Sequence, residues 1–84
     1  MKKEIGKIIN FFSRINVAVV DLTGDLAIGS QITIEGSTTS FEQIVTSMQI
    51  EQQSIESAQA GQLVAIQVDN RVRNGDFVYL ITPD

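Results

Sequence analysis

Residues 45–68 read VTSMQIEQQSIESAQAGQLVAIQV, and this stretch decides the fold. Two apolar segments, Val45–Ile50 and Leu63–Val68, flank a polar connection that ends in Ala60-Gly61. The second segment mixes β-branched and other apolar residues, the composition of a strand with much of its surface buried. Ile55 and Ala58 sit three apart in the connection, which predicts one helical or 3₁₀ turn with its apolar side tucked over the end of a sheet or barrel. Gly61 is expected to take a positive φ just before the chain re-enters the sheet.

Working outward, the flanking sequence is strand after strand. Residues 4–12, EIGKIINFF, alternate imperfectly, and Gly6 marks a bend or a close backbone approach. Residues 15–22, INVAVVDL, are apolar on both faces around Val17–Val20. Thr23-Gly24-Asp25 has the composition of a turn, and residues 26–30 form a short extended piece. In residues 31–35, QITIE, Ile32 and Ile34 point one way and the polar residues the other. Residues 41–50 also alternate, with Phe41 and Val45 on one parity and Ile44, Met48 and Ile50 on the other, a shift that a β-bulge or a strongly coiled strand produces. Asn74-Gly75 is a strong turn signal, residues 77–81 are the last strand, and Pro83 stops it. Six or so short strands with glycine-bearing turns and almost no helix predict one domain over residues 1–84, a closed six-stranded Greek-key β-barrel.

Composition narrows the function. With 84 residues the chain makes a single small core. It contains neither cysteine nor histidine, so it lacks the usual activated nucleophile, the commonest general base and the commonest metal ligand. No cofactor and no catalytic residue is expected. Asp69 and Asp76, which could be taken for an acid/base pair, are read as a strand end and as support for the Asn74-Gly75 turn. Six cationic against ten acidic side chains give a formal charge of −4, a poor balance for a general nucleic-acid coat. The Met-Lys-Lys opening is not followed by an apolar signal-like run, and no apolar run approaches a membrane span. The expected setting is soluble and cytoplasmic.

Laid in order, IGKIINFF, AVVDL, LAIGSQITIEG, TSMQI, IESAQAGQLVAIQV and VRNGDFVYLI resemble the second domain of translational GTPases, the elongation factor Tu-type barrel. The SMQ and AGQxVAI variants look closest to the selenocysteine-specific elongation factor and to the barrel appended to collagenase-like bacterial peptidases. No GxxxxGK[ST] phosphate loop accompanies them. The resemblance implies a non-catalytic module that contacts tRNA, ribosomal RNA or ribosome-associated partners. It places Gln49 where the family's carboxylate lies against the terminal adenine of tRNA, and Gln62 and Leu63 where the family has an Asp-Asn pair. The peptidase-appended barrels imply the alternative, a protein–protein adaptor for a separately encoded catalytic partner.

The residues add candidate contacts. Arg71 and Arg73 in the last loop are expected near Lys2, Lys3 and Lys7 if first and last strands pair, with Arg14 as a further cation, either as phosphate contacts or, as the net negative charge favours, as a solvated rim of mixed charge. Phe11 and Phe12 are adjacent and must point to opposite faces of a strand, so one is exposed and able to stack on a base or a partner. Clustering of the cations beside that phenylalanine favours RNA. A largest exposed patch that is apolar and uncharged favours the adaptor.

Overall fold

The computed structural model describes residues 1–82, and the Pro83 stop lies outside them. Ten strands run through these residues: β1 (Lys2–Phe12), β2 (Val17–Leu22), β3 (Leu26–Ala27), β4 (Gln31–Glu35), β5 (Ser40–Ile44), β6 (Met48–Ile50), β7 (Gln53–Ser54), β8 (Ser57–Ala58), β9 (Leu63–Gln67) and β10 (Phe77–Ile81). Eight form one antiparallel sheet in the order β5-β4-β10-β1-β2-β9-β6-β7, and β3 pairs with β8 in a separate ribbon. The all-β expectation is met. The closed six-stranded barrel is not: the ladder runs open from β5 to β7, with no backbone pairing between those two edges.

The open edges are brought together differently. Residues 41–50, read as one strand with a shift, divide into β5 on one edge and β6 near the other. Between them Val45 leaves the ladder and exchanges backbone hydrogen bonds with the preceding turn, donating to Ser30 O at 2.9 Å and accepting from Gly29 N–H at 2.8 Å. Gln43, only 6% exposed, then does with its side chain what backbone would do in a closed ladder. Its Nε2 donates to Gln67 O at 2.8 Å, and its Oε1 accepts from Asp69 N–H at 2.8 Å. A single buried amide thus ties β5 to the end of β9. The shift also falls differently from its expected place. Gln43, Val45 and Met48 point inward while Ile44 is 48% exposed, because the change of parity lies between Val45 and Met48.

The core is aliphatic and continuous. Ile5, Ile8, Val20, Leu22, Ile32, Ile34, Val64, Ile66 and Val78 are buried in it with Met48, and Phe11, Phe41, Ile50, Ile55 and Leu80 pack against its margin. β2 and β9 bury alternate residues, as in VAVVDL, where Ala18, Val20 and Leu22 face inward. β1 is bent by irregularities between Glu4 and Gly6 and between Ile8 and Asn10, which curl it so that it pairs with β10 through its first half and with β2 through its second.

The connection 51–62 departs from the predicted helical turn. Ile55 and Ala58 do reach the core, Ala58 at 3% exposure. They do so from extended backbone: β7 returns along β6 and β8 pairs with β3. Glu51 and Gln52, both at positive φ, make the two-residue turn between β6 and β7. A β-ribbon places inward residues at its own spacing, so an interval of three did not distinguish it from a helical turn.

Gly61 has φ +93°, and a Cβ built on it meets nothing within 4 Å. Gly61→Val therefore suffers backbone strain with no steric clash, an expected loss of about 1–3 kcal/mol. The urea midpoint measures it, and an unchanged midpoint contradicts the assigned conformation.

Candidate functional site: the outer face of the sheet

The residues singled out from sequence do not converge on one site. Phe11 and Phe12 divide as adjacent strand residues must: Phe11 packs against the core margin and Phe12 is 46% exposed. Lys2 and Lys3 lie at the opposite end of the same strand, opposite Ile81 and Leu80. Nine or ten residues of extended chain separate them from Phe12, roughly 30 Å. Lys2 is also engaged. Its Nζ lies 2.6 Å from Glu35 Oε2 and 5.0 Å from the centre of the Tyr79 ring. That ammonium holds the Glu35 carboxyl below its ordinary pKa, chiefly through the hydrogen bond.

Arg71 and Arg73 are exposed in the 68–76 loop. This loop starts beside the β1–β2 turn, where Val68 N–H donates to Asn16 O, and docks on mid-β1, where Gly75 N–H donates to Ile8 O. Val72 plugs into the core from it, at 2% exposure. The backbone of Arg73 is tied to the turn, its N–H donating to Asp76 Oδ2 at 2.9 Å. The expected gathering of Lys2 and Lys3 beside the exposed phenylalanine is therefore not formed.

Gln49 stands on the outer face of β6, opposite Ala65 and Ser54. Gln62 is spent locally, its Oε1 accepting from Gln59 N–H at 2.8 Å. Leu63 is 53% exposed at the start of β9. Neither hollow in the surface gathers a reactive set. One, about 260 Å³, lies by β3 and β8 with Asp25, Ser30, Ser57 and Gln59 on its walls. The other, about 330 Å³, holds the Lys2–Glu35 pair with Thr33 and Glu42. Among the described residues no three acidic side chains are grouped as for a metal. The Asp76 carboxylate supports the turn, accepting from Arg73 N–H, and Asp69, two residues past the end of β9, donates its backbone N–H to Gln43.

What the sheet does assemble is an outer face in two unlike halves. Across β1, β10 and β4 that face carries Glu4, Tyr79, Lys2, Glu35 and, on neighbouring β5, Glu42. Across β1, β2, β9 and β6 it carries the row Asn10–Val19–Ala65–Gln49 and the row Phe12–Val17–Gln67. No charged residue occupies either row, while the next row on the same strands, Lys7–Asp21–Leu63, sets a lysine and an aspartate beside Leu63. Val17, Val19 and Ala65 are half-buried, with exposed Phe12 and Leu63 nearby and Ile9, the extra residue of the β1 irregularity, 39% exposed beside them. Sequence reasoning saw the signal for this surface, apolar residues on both faces of 15–22, without recognising that among the described residues no further strand layer covers the second face.

Comparison with known proteins bears on what such a face is for. No family model matches the chain. It is 43% identical over 81 residues to an uncharacterised protease of Methanocaldococcus jannaschii, covering 95% of this chain and 20% of that protein. It is 40% identical over 80 residues to a collagenase of Porphyromonas gingivalis, covering 93% of this chain and 22% of that one. The chain thus spans about a fifth of the length of the curated relatives it matches. Among solved structures, the C-terminal domain of a Geobacillus thermoleovorans protein named as a U32 peptidase superposes with a TM-score of 0.88 at 15% identity, covering 93% of this chain and 91% of that chain. Its selenomethionine form gives 0.85, covering 90% and 96%. This likeness establishes the fold.

These findings correct the translation-factor reading. The relatives carry names of proteases and collagenases, and the matching fold is a peptidase C-terminal domain. Of the two likenesses drawn from the sequence, the one to barrels appended to collagenase-like peptidases is supported. The RNA and ribosome reading is overturned. Among the described residues no helix is long and apolar enough to cross a membrane.

Proposed function

We propose that this chain is a non-catalytic, protein-binding module that works beside a peptidase-type catalytic domain. The observation that carries this reading is the placement of its likeness. A segment 40–43% identical to almost the whole chain recurs as about a fifth of proteins named for proteolysis. Since this chain has no histidine or cysteine, and its buried carboxylate serves a turn, the peptide-bond chemistry belongs to the remainder of such proteins. Hydrolysis needs an activated nucleophile or water held by a base or a metal, and among the described residues no three acidic side chains are grouped to hold one.

The test separates catalysis from assistance. The chain alone, incubated with gelatin and with casein, is expected to release no peptides. Joined to the M. jannaschii relative in place of its matched segment, it is expected to support whatever cleavage the intact relative shows. Peptide release by the isolated chain contradicts the proposal. So does equal cleavage by the relative with its matched segment simply deleted.

A further inference from the structure

The two uncharged rows of the outer face lie on three central strands, β1, β2 and β9, and on β6. Sheets with one wet face ordinarily alternate apolar inward and polar outward residues. β2 breaks that rule, since Val17 and Val19 face out as Ala18 and Val20 face in. Their row partners Ala65 and Gln67 on β9, Gln49 on β6, and Asn10 and Phe12 on β1 add methyls, an aromatic ring and amides. The chain has 16 charged residues, and the other half of the same face holds an ion pair and several carboxylates. Within these two rows, charge depletion around an aromatic residue, with neutral amides and, in the next row, Lys7 and Asp21 at the rim, is the composition of an interface core. The β7 edge does not offer an equivalent. β7 is two residues long with Gln53 and Ser54 exposed, too short to template a strand from a partner.

Resting on the function proposed above, we propose that this surface, centred on Val17, Val19 and Ala65 with Phe12 and Leu63 at its margin, is where the module seats against the peptidase-type catalytic domain. That occupant is favoured by the relatives themselves, in which the counterpart of this module is joined to about four times its own length of further chain. A neighbour permanently tethered covers an uncharged apolar surface, whereas a freely encountered partner is ordinarily steered by charge. Phe12 and Gln49 then become contacts to a protein.

The test uses the 84-residue chain with methyl-labelled valine, leucine and alanine, titrated with the M. jannaschii relative from which the matched segment has been removed, its folding first checked by circular dichroism. If the shortened relative does not fold, the same labels are compared between the free chain and the chain joined to the relative in place of its segment. The signals of Val17, Val19, Leu63 and Ala65 are expected to shift, with those of Val64 and Val78 in the core little changed. Phe12→Asp and Leu63→Glu, both at exposed positions, are expected to keep the urea midpoint and weaken binding about 10–100-fold each. Glu4→Lys, on the charged half, is the control and is expected to change affinity less than about threefold. Binding that Phe12→Asp and Leu63→Glu leave untouched overturns this surface while leaving the proposed function standing. No binding and no shift in either format overturns both. Shifts that depend on the chain's own concentration identify a second copy as the occupant and overturn the proposal.

Discussion

Replacing Gly36 by alanine is expected to destabilise the protein by about 2–4 kcal/mol. Gly36 follows β4 directly, and its N–H donates to Thr39 O at 2.7 Å. A Cβ built there overlaps Asp76 Oδ1 and stands 2.6 Å from Asp76 Cγ. The aspartate cannot easily swing aside. It is 5% exposed, its chain is short, and its Oδ2 holds Arg73 N–H while its own backbone N–H donates to Arg73 O. Moving the carboxylate therefore breaks the turn that delivers the chain to β10. The two sites are in contact, so their effects should not add. In the background of Asp76→Ala, which empties the space, Gly36→Ala should cost at least 1 kcal/mol less than in the native chain. Equal costs in the two backgrounds, read from urea midpoints at constant m-value, contradict the contact.

A second large effect is expected at Gln43. Gln43→Glu keeps the shape of the side chain but gives it two acceptor oxygens when ionised. Asp69 N–H still has its partner, while Gln67 O faces an anionic oxygen in place of an N–H donor. Burial without a cation and a carbonyl at close range both disfavour the charged form, so the pKa of the introduced carboxyl is raised in the folded state. About 3–5 kcal/mol should be lost at pH 7. A carboxyl whose folded pKa lies above its unfolded value of roughly 4.3 contributes its full stability below that unfolded value and loses it as pH rises through the folded one. The difference between variant and native chain should therefore shrink on acidification from neutral pH towards about pH 4. Gln43→Ala, which leaves two backbone groups unpaired, should cost about 2–4 kcal/mol with no such pH dependence. Circular-dichroism melts across that range distinguish the cases.

Those two positions also show how much of the fold the sequence carried. Alternation and glycine-bearing turns located the main strands, because period and turn chemistry are local properties. The positive φ of Gly61 and the turn role of Asp76 were legible for the same reason. The requirement for glycine at 36 was not, since it arises from a carboxylate forty residues further on. Nor was the closure device. Gln43 was one of seven glutamines between 43 and 67, and nothing local marks which of them is buried. The barrel was predicted closed because closure removes edges, whereas here one buried amide and the passage of a single segment from edge to edge substitute for the missing ladder.

The candidate site was legible in part. The adjacency of Phe11 and Phe12 implied that one was exposed, and Phe12 is. The cations were expected to gather because first and last strands pair. They do pair, but antiparallel along a strand of 11 residues, which leaves Lys2 and Lys3 far from Phe12. The uncharged face that remains depends on which residues share a row across four strands, and register is a long-range property that alternation within one strand does not contain.

The account rests on the claim that this chain recognises a peptidase-type catalytic domain directly. Calorimetric titration of the unmodified chain into the M. jannaschii relative lacking its matched segment, shown beforehand to be folded, tests that claim most directly. The expected result is one-to-one binding with a negative heat-capacity change between 15 and 35 °C (about 20 °C of span), the mark of apolar surface leaving water. The absence of any binding heat at both temperatures, with partner at about 100 μM and a Kd therefore weaker than that, would contradict it.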